Sequence, residues 1–108
     1  MNGTASNIFE CVPYEVRDEL FDNIVTGENI RIERIVSKGH VSPESGWYDQ
    51  DEHEWVIVLK GEAEIEFENQ STVRLVSGSY LNIPAHTLHK VAWTAPDTET
   101  VWLAVYYT

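Results

Sequence analysis

Hydrophobic and polar positions alternate along short segments of this chain, which is the pattern of β-strands with one buried face. The clearest example is 62–68, where apolar side chains point one way and four glutamates point the other. We interpret that glutamate row as a solvated outer face that resists edge pairing. Segment 29–37 also alternates, whereas 55–59 and 100–107 are apolar on both faces, as expected of fully buried strands.

Residues typical of turns separate these segments from one another. Three further short strands are predicted between the turns, at 72–76, 80–83 and 88–93. The chain therefore contains about eight or nine short strands with turn signals roughly every 8–12 residues, and no long helical pattern. This organisation predicts an all-β sandwich or barrel.

The pattern is weaker before residue 29. Residues 8–12 are compatible with a short strand, and 14–21 have apolar side chains at helical spacing over too short a stretch to define a helix. We predict a short irregular or helical segment there. We therefore predict an N-terminal extension, residues 1–28, that packs on a barrel formed by residues 29–108.

Composition narrows the possible partners. The chain has 108 residues, the size of a single domain, and its 18 acidic against 7 basic residues give a formal charge of −11. This balance argues against nucleic acid, which proteins bind mainly through Lys and Arg on phosphates, and against anionic membrane surfaces. We therefore expect small-molecule ligands rather than polyanions.

Other features of the sequence concern location. The single cysteine, Cys11, excludes an internal disulfide. No apolar stretch approaches the roughly 18 residues of a membrane span, and residues 1–8 lack the pattern of a signal peptide. The expected location is the cytoplasm.

Two sets of spaced residues resemble the motifs of the cupin superfamily, a small jelly-roll barrel. Glu54 is followed by six residues and then Gly61, as at the end of the family's first motif. Gly78, five residues, Pro84 and then His89 five positions further on match the second motif. The resemblance covers about residues 30 to 107 and implies a cupin-type jelly-roll β-barrel of two antiparallel sheets.

The sequence departs from the family at several motif positions. The two histidines of the first motif correspond here to Tyr48 and Gln50 in one register, or to Trp47 and Asp49 in the other. The family's three-histidine, one-glutamate metal set is therefore reduced.

The resemblance implies a metal site made of Glu54 and His89, with Gln50 or Asp49 as a third ligand. Gln50 would bind through its carbonyl oxygen, as a glutamine does in the phosphomannose isomerase branch of the cupins. Such a mixed oxygen and nitrogen site would suit a divalent ion such as zinc, manganese, iron or nickel.

Other residues are candidates for contacts with a ligand. Tyr48 would be a pocket donor or general acid, and Glu54 is a candidate for catalysis as well as for metal binding. His89 shares strand parity with Val91 and Trp93, which predicts that all three face inward. Trp47 and Trp93 are expected near the barrel mouth, where a small molecule would bind.

The remaining histidines are less favoured as site residues. His53 adjoins Glu54 and should therefore face the opposite way, outward. His86 occupies a turn position where the family prefers glycine, which predicts a positive φ. His40 lies in a loop rich in glycine and proline, with no visible partner, and is expected at the surface.

Two functional hypotheses follow. The first is a metal-dependent cupin enzyme acting on a small polar molecule, an isomerase, decarboxylase or dioxygenase. The alternative is a non-enzymatic cupin that binds or senses a small ligand without metal. Under either hypothesis, we expect a homodimer, in which the apolar strand 101–107 could take part; a purely structural interaction role is a third possibility.

Overall fold

The structure is a computed structural model and describes residues 4–13, 15–43 and 46–108. Over these ranges the chain forms eight β-strands and no helix, so no described helix could cross a membrane. The strands are β1 (Leu20–Thr26), β2 (Ile30–Ser37), β3 (His53–Lys60), β4 (Glu62–Phe67), β5 (Thr72–Val76), β6 (Tyr80–Ile83), β7 (His89–Thr94) and β8 (Thr100–Tyr107).

The strands form two antiparallel sheets. The larger sheet has the order β1-β2-β8-β3-β6, and the smaller one has the order β5-β4-β7. This arrangement confirms the predicted all-β jelly roll of two antiparallel sheets. Strand β8 lies in the middle of the larger sheet, so only its face, and not its edge, is available to a partner.

The core lies between the two sheets and is built from the side chains that alternate inward. On β4, the predicted alternation is confirmed, because Ala63 and Ile65 are buried. On β3, Val56 and Val58 are buried in the same way. The larger sheet thus contributes one face to the core, as a sandwich requires.

The N-terminal segment differs from its prediction. Residues 8–11 form turns rather than a strand, 15–19 contain no helix, and Tyr14 lies outside the described residues. Strand β1 was not predicted at all. It is an edge strand with a single neighbour, β2, and an irregularity between Asn23 and Val25 interrupts its register, so its sequence shows no clean alternation.

The segment before β1 is tied to the outer face of the larger sheet. The Arg34 guanidinium donates hydrogen bonds to the carbonyl oxygens of Ile8 and Glu10, at 3.1 and 2.5 Å. Strand β1 itself belongs to the same sheet as β2. The domain boundary near residue 28 stays a prediction, although the sheet runs across it.

Candidate functional site

A cavity of about 120 Å³ opens between the two sheets. Its walls combine an apolar surface with a small group of polar side chains, which is typical of ligand sites. The lining residues are Glu19, Phe21, Ile35, Tyr48, Gln50, Glu54, Ile65, Ile83, His89, Val91, Trp102 and Tyr106.

Glu54 carries its carboxylate into this cavity from the beginning of β3. It pairs across the sheet with Ile83 of β6 and Tyr106 of β8, and it shares the inward face of β3 with the core residue Val56. Glu54 is only 8% exposed. A buried carboxylate is costly without a compensating partner, so its neighbours decide what it can do.

His89, at the start of β7, faces Glu54. The residue is 5% exposed, and its Nδ1–H donates a hydrogen bond to the carbonyl oxygen of Thr87 at 2.8 Å. That bond leaves Nε2 directed at Glu54 Oε1, 3.7 Å away. A histidine fixed in this way presents one ring nitrogen to an ion or a ligand.

The protonation of His89 reflects two opposing effects. Burial of the ring disfavours the imidazolium, but the Glu54 carboxylate and the Thr87 carbonyl favour it more strongly. The pKa of His89 is therefore raised. The distance between Nε2 and Oε1 is longer than that of an ordinary hydrogen bond, so the two groups face each other without a tight contact.

Gln50 completes the polar end of the cavity. Its Nε2 donates to Glu54 Oε1 at 3.3 Å. Its backbone carbonyl accepts a hydrogen bond from His86 N at 2.8 Å, which ties the loop before β3 to the turn before β7. His86 has φ of 63°, which confirms the predicted positive φ, and its ring contacts the Asp49 carboxylate at 2.7 Å.

Tyr48 lies beside His89. The two residues form an isolated β-bridge, with backbone hydrogen bonds of 2.8 and 3.3 Å. Their ring centroids are 5.6 Å apart, and Tyr48 is 42% exposed. Tyr48 therefore lines the cavity on the side that solvent reaches.

Trp47 and Trp93 lie away from the cavity between the sheets. Trp47 lines a separate, more open depression with Ser42 and Pro43, and Lys90 Nζ lies 4.5 Å from its ring centroid. The expectation that Trp93 shares the inward face of His89 and Val91 is wrong. The β4–β7 register shifts, so Val91 pairs with Ile65 while Trp93 pairs with Glu64 on the outer face.

The structure also distinguishes between the two possible registers of the first motif. Tyr48 and Gln50 reach the cavity, whereas Trp47 does not and the Asp49 carboxylate contacts His86 instead. Of the candidate third ligands, only Gln50 therefore lies beside Glu54.

The other two histidines lie outside the cavity. His53 stacks on Tyr107, with ring centroids 5.1 Å apart, and its Nδ1 accepts a hydrogen bond from Ala85 N. His40 is half-buried and does have partners, because its ring bonds to Lys38 N and Arg17 O at 2.8 and 2.9 Å.

Two polar cavity residues were not found from the sequence. Tyr106 lies in a strand that is apolar on both faces, so parity alone could not identify which tyrosine faces inward. Glu19 comes from the segment where no strand was predicted. Its carboxylate accepts a hydrogen bond from Ser37 Oγ, which in turn accepts one from Trp102 Nε1 at 3.2 Å.

Whether the site fits a divalent ion depends on Glu54, His89 and Gln50. No group of three or more His, Cys, Asp or Glu side chains that could hold a metal occurs in the described part of the chain. Glu54, His89 and Gln50 instead offer one carboxylate, one imidazole and one amide. Metal-ligand distances of about 2.0–2.2 Å allow donors 3.7 Å apart to share one ion. The donors therefore fit an ion that keeps open coordination positions.

Comparison with known proteins agrees with this fold. A family model described as the cupin domain matches residues 33–106, so the chain belongs to the cupin family. No match is found among curated proteins.

Solved structures extend the comparison. A protein from Ralstonia eutropha JMP134, described as a putative mannose-6-phosphate isomerase, is 41% identical, with 96% of this chain and 97% of that chain covered and a TM-score of 0.92. An RmlC-like cupin protein from Desulfovibrio desulfuricans is 20% identical over 96% of this chain and 95% of its own, with a TM-score of 0.76. The second likeness concerns the fold alone.

Proposed function

We propose that this cupin binds a divalent metal ion through Glu54, His89 and Gln50 and acts on a small polar molecule in the adjoining cavity. The observation that carries the proposal is the buried Glu54–His89 pair, in which the bond to Thr87 directs His89 Nε2 toward the carboxylate. The sequence left isomerisation, decarboxylation and dioxygenation as alternative reactions. Similarity to the Ralstonia protein favours isomerisation.

The ion would act as a Lewis acid on a carbonyl or hydroxyl oxygen of the substrate. Glu54 and His89 would hold it at the polar end of the cavity, and Gln50 would turn its amide oxygen toward it. Tyr48, beside His89 on the solvent side, would donate a proton to a substrate oxygen. The apolar walls would exclude water from the reacting atoms.

Metal titration tests this proposal directly. Purified metal-free protein is titrated with Mn²⁺, Zn²⁺ and Ni²⁺ by calorimetry, and its melting temperature is recorded with and without each ion. We expect one ion per chain and a higher melting temperature. Glu54→Gln and His89→Gln should weaken binding by about 100-fold or more.

Glu64→Gln is the matched control, because Glu64 lies on the outer face of β4 and contacts Arg74. It should bind metal as the unaltered protein does. Absence of binding in the unaltered protein would contradict the proposal, as would equal losses in all three variants.

A second candidate is binding or sensing of a small ligand without metal. It is favoured by the hydrogen bond from Gln50 to Glu54, which satisfies part of the carboxylate with a protein donor. Mass spectrometry of the purified protein under native conditions distinguishes the candidates. A retained organic molecule without metal would favour this second function.

We also propose that the protein is a homodimer that pairs through the outer apolar face of the larger sheet. This face is formed by Trp55, Ile57, Leu103, Val105 and Tyr80, of which Tyr80 is 65% exposed. These five side chains include no carboxylate, although the chain has a net charge of −11. Two copies can therefore approach closely there with little repulsion, which favours a second copy as the partner.

Light scattering after gel filtration tests the dimer. The unaltered protein should have twice the mass of one chain, and Ile57→Arg should reduce it to a monomer. Val76→Arg, on an exposed position of the smaller sheet, is the control and should stay dimeric. A monomeric unaltered protein would refute the pairing.

A further inference from the structure

The charged groups that line the cavity are unusual for a site that would hold a phosphorylated compound. They are the carboxylates of Glu19 and Glu54 and the imidazole of His89. None of the seven Lys and Arg residues of the chain, all of them at described positions, lines the cavity. A phosphate ester, with a charge of about −1.5 to −2 at neutral pH, would therefore meet two carboxylates and no fixed cation.

The nearby cations are engaged elsewhere. Arg31 contacts the carboxylates of Glu33 and Glu52 at 2.7 and 2.9 Å, and its guanidinium carbon lies 3.9 Å from the ring centroid of Tyr106. Lys90 points to the outer face of β7, toward Glu66. A bound divalent ion would balance the two cavity carboxylates, and no Lys or Arg lines the cavity to offset the further charge of a phosphate.

Tyr106 supplies the cavity with a hydrogen-bond donor. The residue is 8% exposed, and its hydroxyl has no hydrogen-bond partner among the residues that the structure describes. Burial, and then the charge of Glu54, raise the pKa of Tyr106. The phenol therefore stays neutral, and its O–H is available to an oxygen of a bound molecule.

Glu19 supplies the complementary acceptor. The chain of hydrogen bonds from Trp102 through Ser37 ends on Oε2 of Glu19 and fixes the orientation of its carboxylate. The other oxygen, Oε1, accepts no hydrogen bond from a described residue, so a hydroxyl group of a ligand can donate to it.

We infer that the ligand of this cavity is a small uncharged compound with both hydroxyl and carbonyl oxygens, and not a phosphorylated one. This inference deepens the proposed function and rests on it for the choice of site. Tyr106 donates to one oxygen of the ligand, and Glu19 accepts from a hydroxyl. The cavity volume of about 120 Å³ is small beside the roughly 300–1,000 Å³ of drug-sized sites, which limits the ligand to a few carbon atoms.

Dihydroxyacetone and dihydroxyacetone phosphate are a suitable pair of probes, because they differ only in the phosphate. Binding of each probe is measured by ligand-observed NMR, once with the metal-free full chain and once with the full chain loaded with Zn²⁺. Zn²⁺ is used instead of Mn²⁺ because Mn²⁺ is paramagnetic and would broaden the ligand signals. We expect dihydroxyacetone to bind at least about tenfold more tightly than its phosphate.

Tyr106→Phe should weaken dihydroxyacetone binding by about tenfold, since it removes one hydrogen bond from a buried site. Tyr107→Phe is the matched control, because the neighbouring hydroxyl lies on the outer side and donates to Asn82 at 2.5 Å. Both variants should bind Zn²⁺ and melt as the unaltered protein does.

Tighter binding of the phosphate would overturn the inference, and so would failure of both probes to bind. The metal proposal is judged separately by the Zn²⁺ titration. If dihydroxyacetone binds in a Tyr106-dependent way to a protein that takes up no metal, the ligand class stands and the metal site falls. If the protein binds metal but prefers dihydroxyacetone phosphate, the metal site stands and the inferred ligand class falls.

Discussion

The cavity carboxylate of Glu54 and the glutamates on the outer face of β4 are the same chemical group in opposite environments. On β4, Glu62 and Glu64 contact Arg74, and Glu66 lies 3.8 Å from Lys90 Nζ, all with partial access to water. Glu54 is buried, and its neighbours are an imidazole and an amide rather than a Lys or Arg.

This difference explains why only one of the two regions is a candidate site. Exposed pairs between glutamate and arginine contribute little to stability and need no further ligand. A buried carboxylate that lacks a permanent cation gains much more from a bound ion or a ligand donor. The environment of a carboxylate, and not the number of carboxylates in a row, therefore marks the functional region.

Gly61 separates the two regions, and its replacement should have the largest effect on stability. Gly61 has φ of 92°, and a Cβ there would lie 2.7 Å from the backbone Cα of Thr100. Gly61→Ala must therefore displace backbone between β3 and β4, and we expect a loss of at least about 2 kcal/mol in the free energy of unfolding by urea.

Gly78→Ala is the control for this measurement. Its φ of 93° is nearly the same, but nothing lies within 4 Å of the added Cβ, so only the conformational cost of about 1 kcal/mol remains. Equal losses at both glycines would show that close packing at Gly61 does not hold the two regions in place.

The pH dependence of stability should distinguish the cavity carboxylate from the outer ones. Because the pKa of His89 is raised in the folded protein, its contribution is fully present below the unfolded pKa of about 6.5 and is lost as pH rises through the folded pKa. We expect Glu54→Gln to remove this dependence in metal-free protein, measured by urea unfolding between about pH 6 and 8.

Glu64→Gln should keep the pH dependence of the unaltered protein, because Glu64 does not contact His89. If Glu54→Gln and Glu64→Gln gave the same profile, Glu54 would not be the group that raises the pKa of His89.

The smallest effect is expected on the outer face. Arg74 contacts Glu62 and Glu64 from an exposed position, so Arg74→Ala should cost only about 0.2–1 kcal/mol in the free energy of unfolding. The loss should shrink further in about 1 M salt, which screens exposed charges. A larger loss that is insensitive to salt would mean that packing of Arg74 on Trp93, and not charge, holds this side chain.

Much of the fold could be predicted from the sequence. The alternation of 62–68 indicated which side of β4 is buried, and the apolar segments 55–59 and 100–107 are interior strands of the larger sheet. They are not fully buried as predicted, because alternate side chains on their outer face, such as Ile57 and Leu103, are only half-buried. Strand β1 could not be predicted, since an edge strand with an irregular register needs no regular alternation.

The candidate site was predicted in part. The spacing from Glu54 to Gly61 and from Gly78 to His89 indicated two residues that the fold does bring together. The inward position of Trp93 was wrong because a shift in the β4–β7 register places it opposite Glu64.

By itself, the sequence determined the pattern of strands from β2 to β8, the cupin family and the two residues at the centre of the candidate site. These are local properties, because periodicity and motif spacing report on neighbouring positions along one strand. Only the tertiary structure decided that Tyr48 and Gln50, rather than Trp47 and Asp49, face the cavity. It also brought in Tyr106 and Glu19, because contacts between distant segments depend on sheet pairing that no local pattern contains.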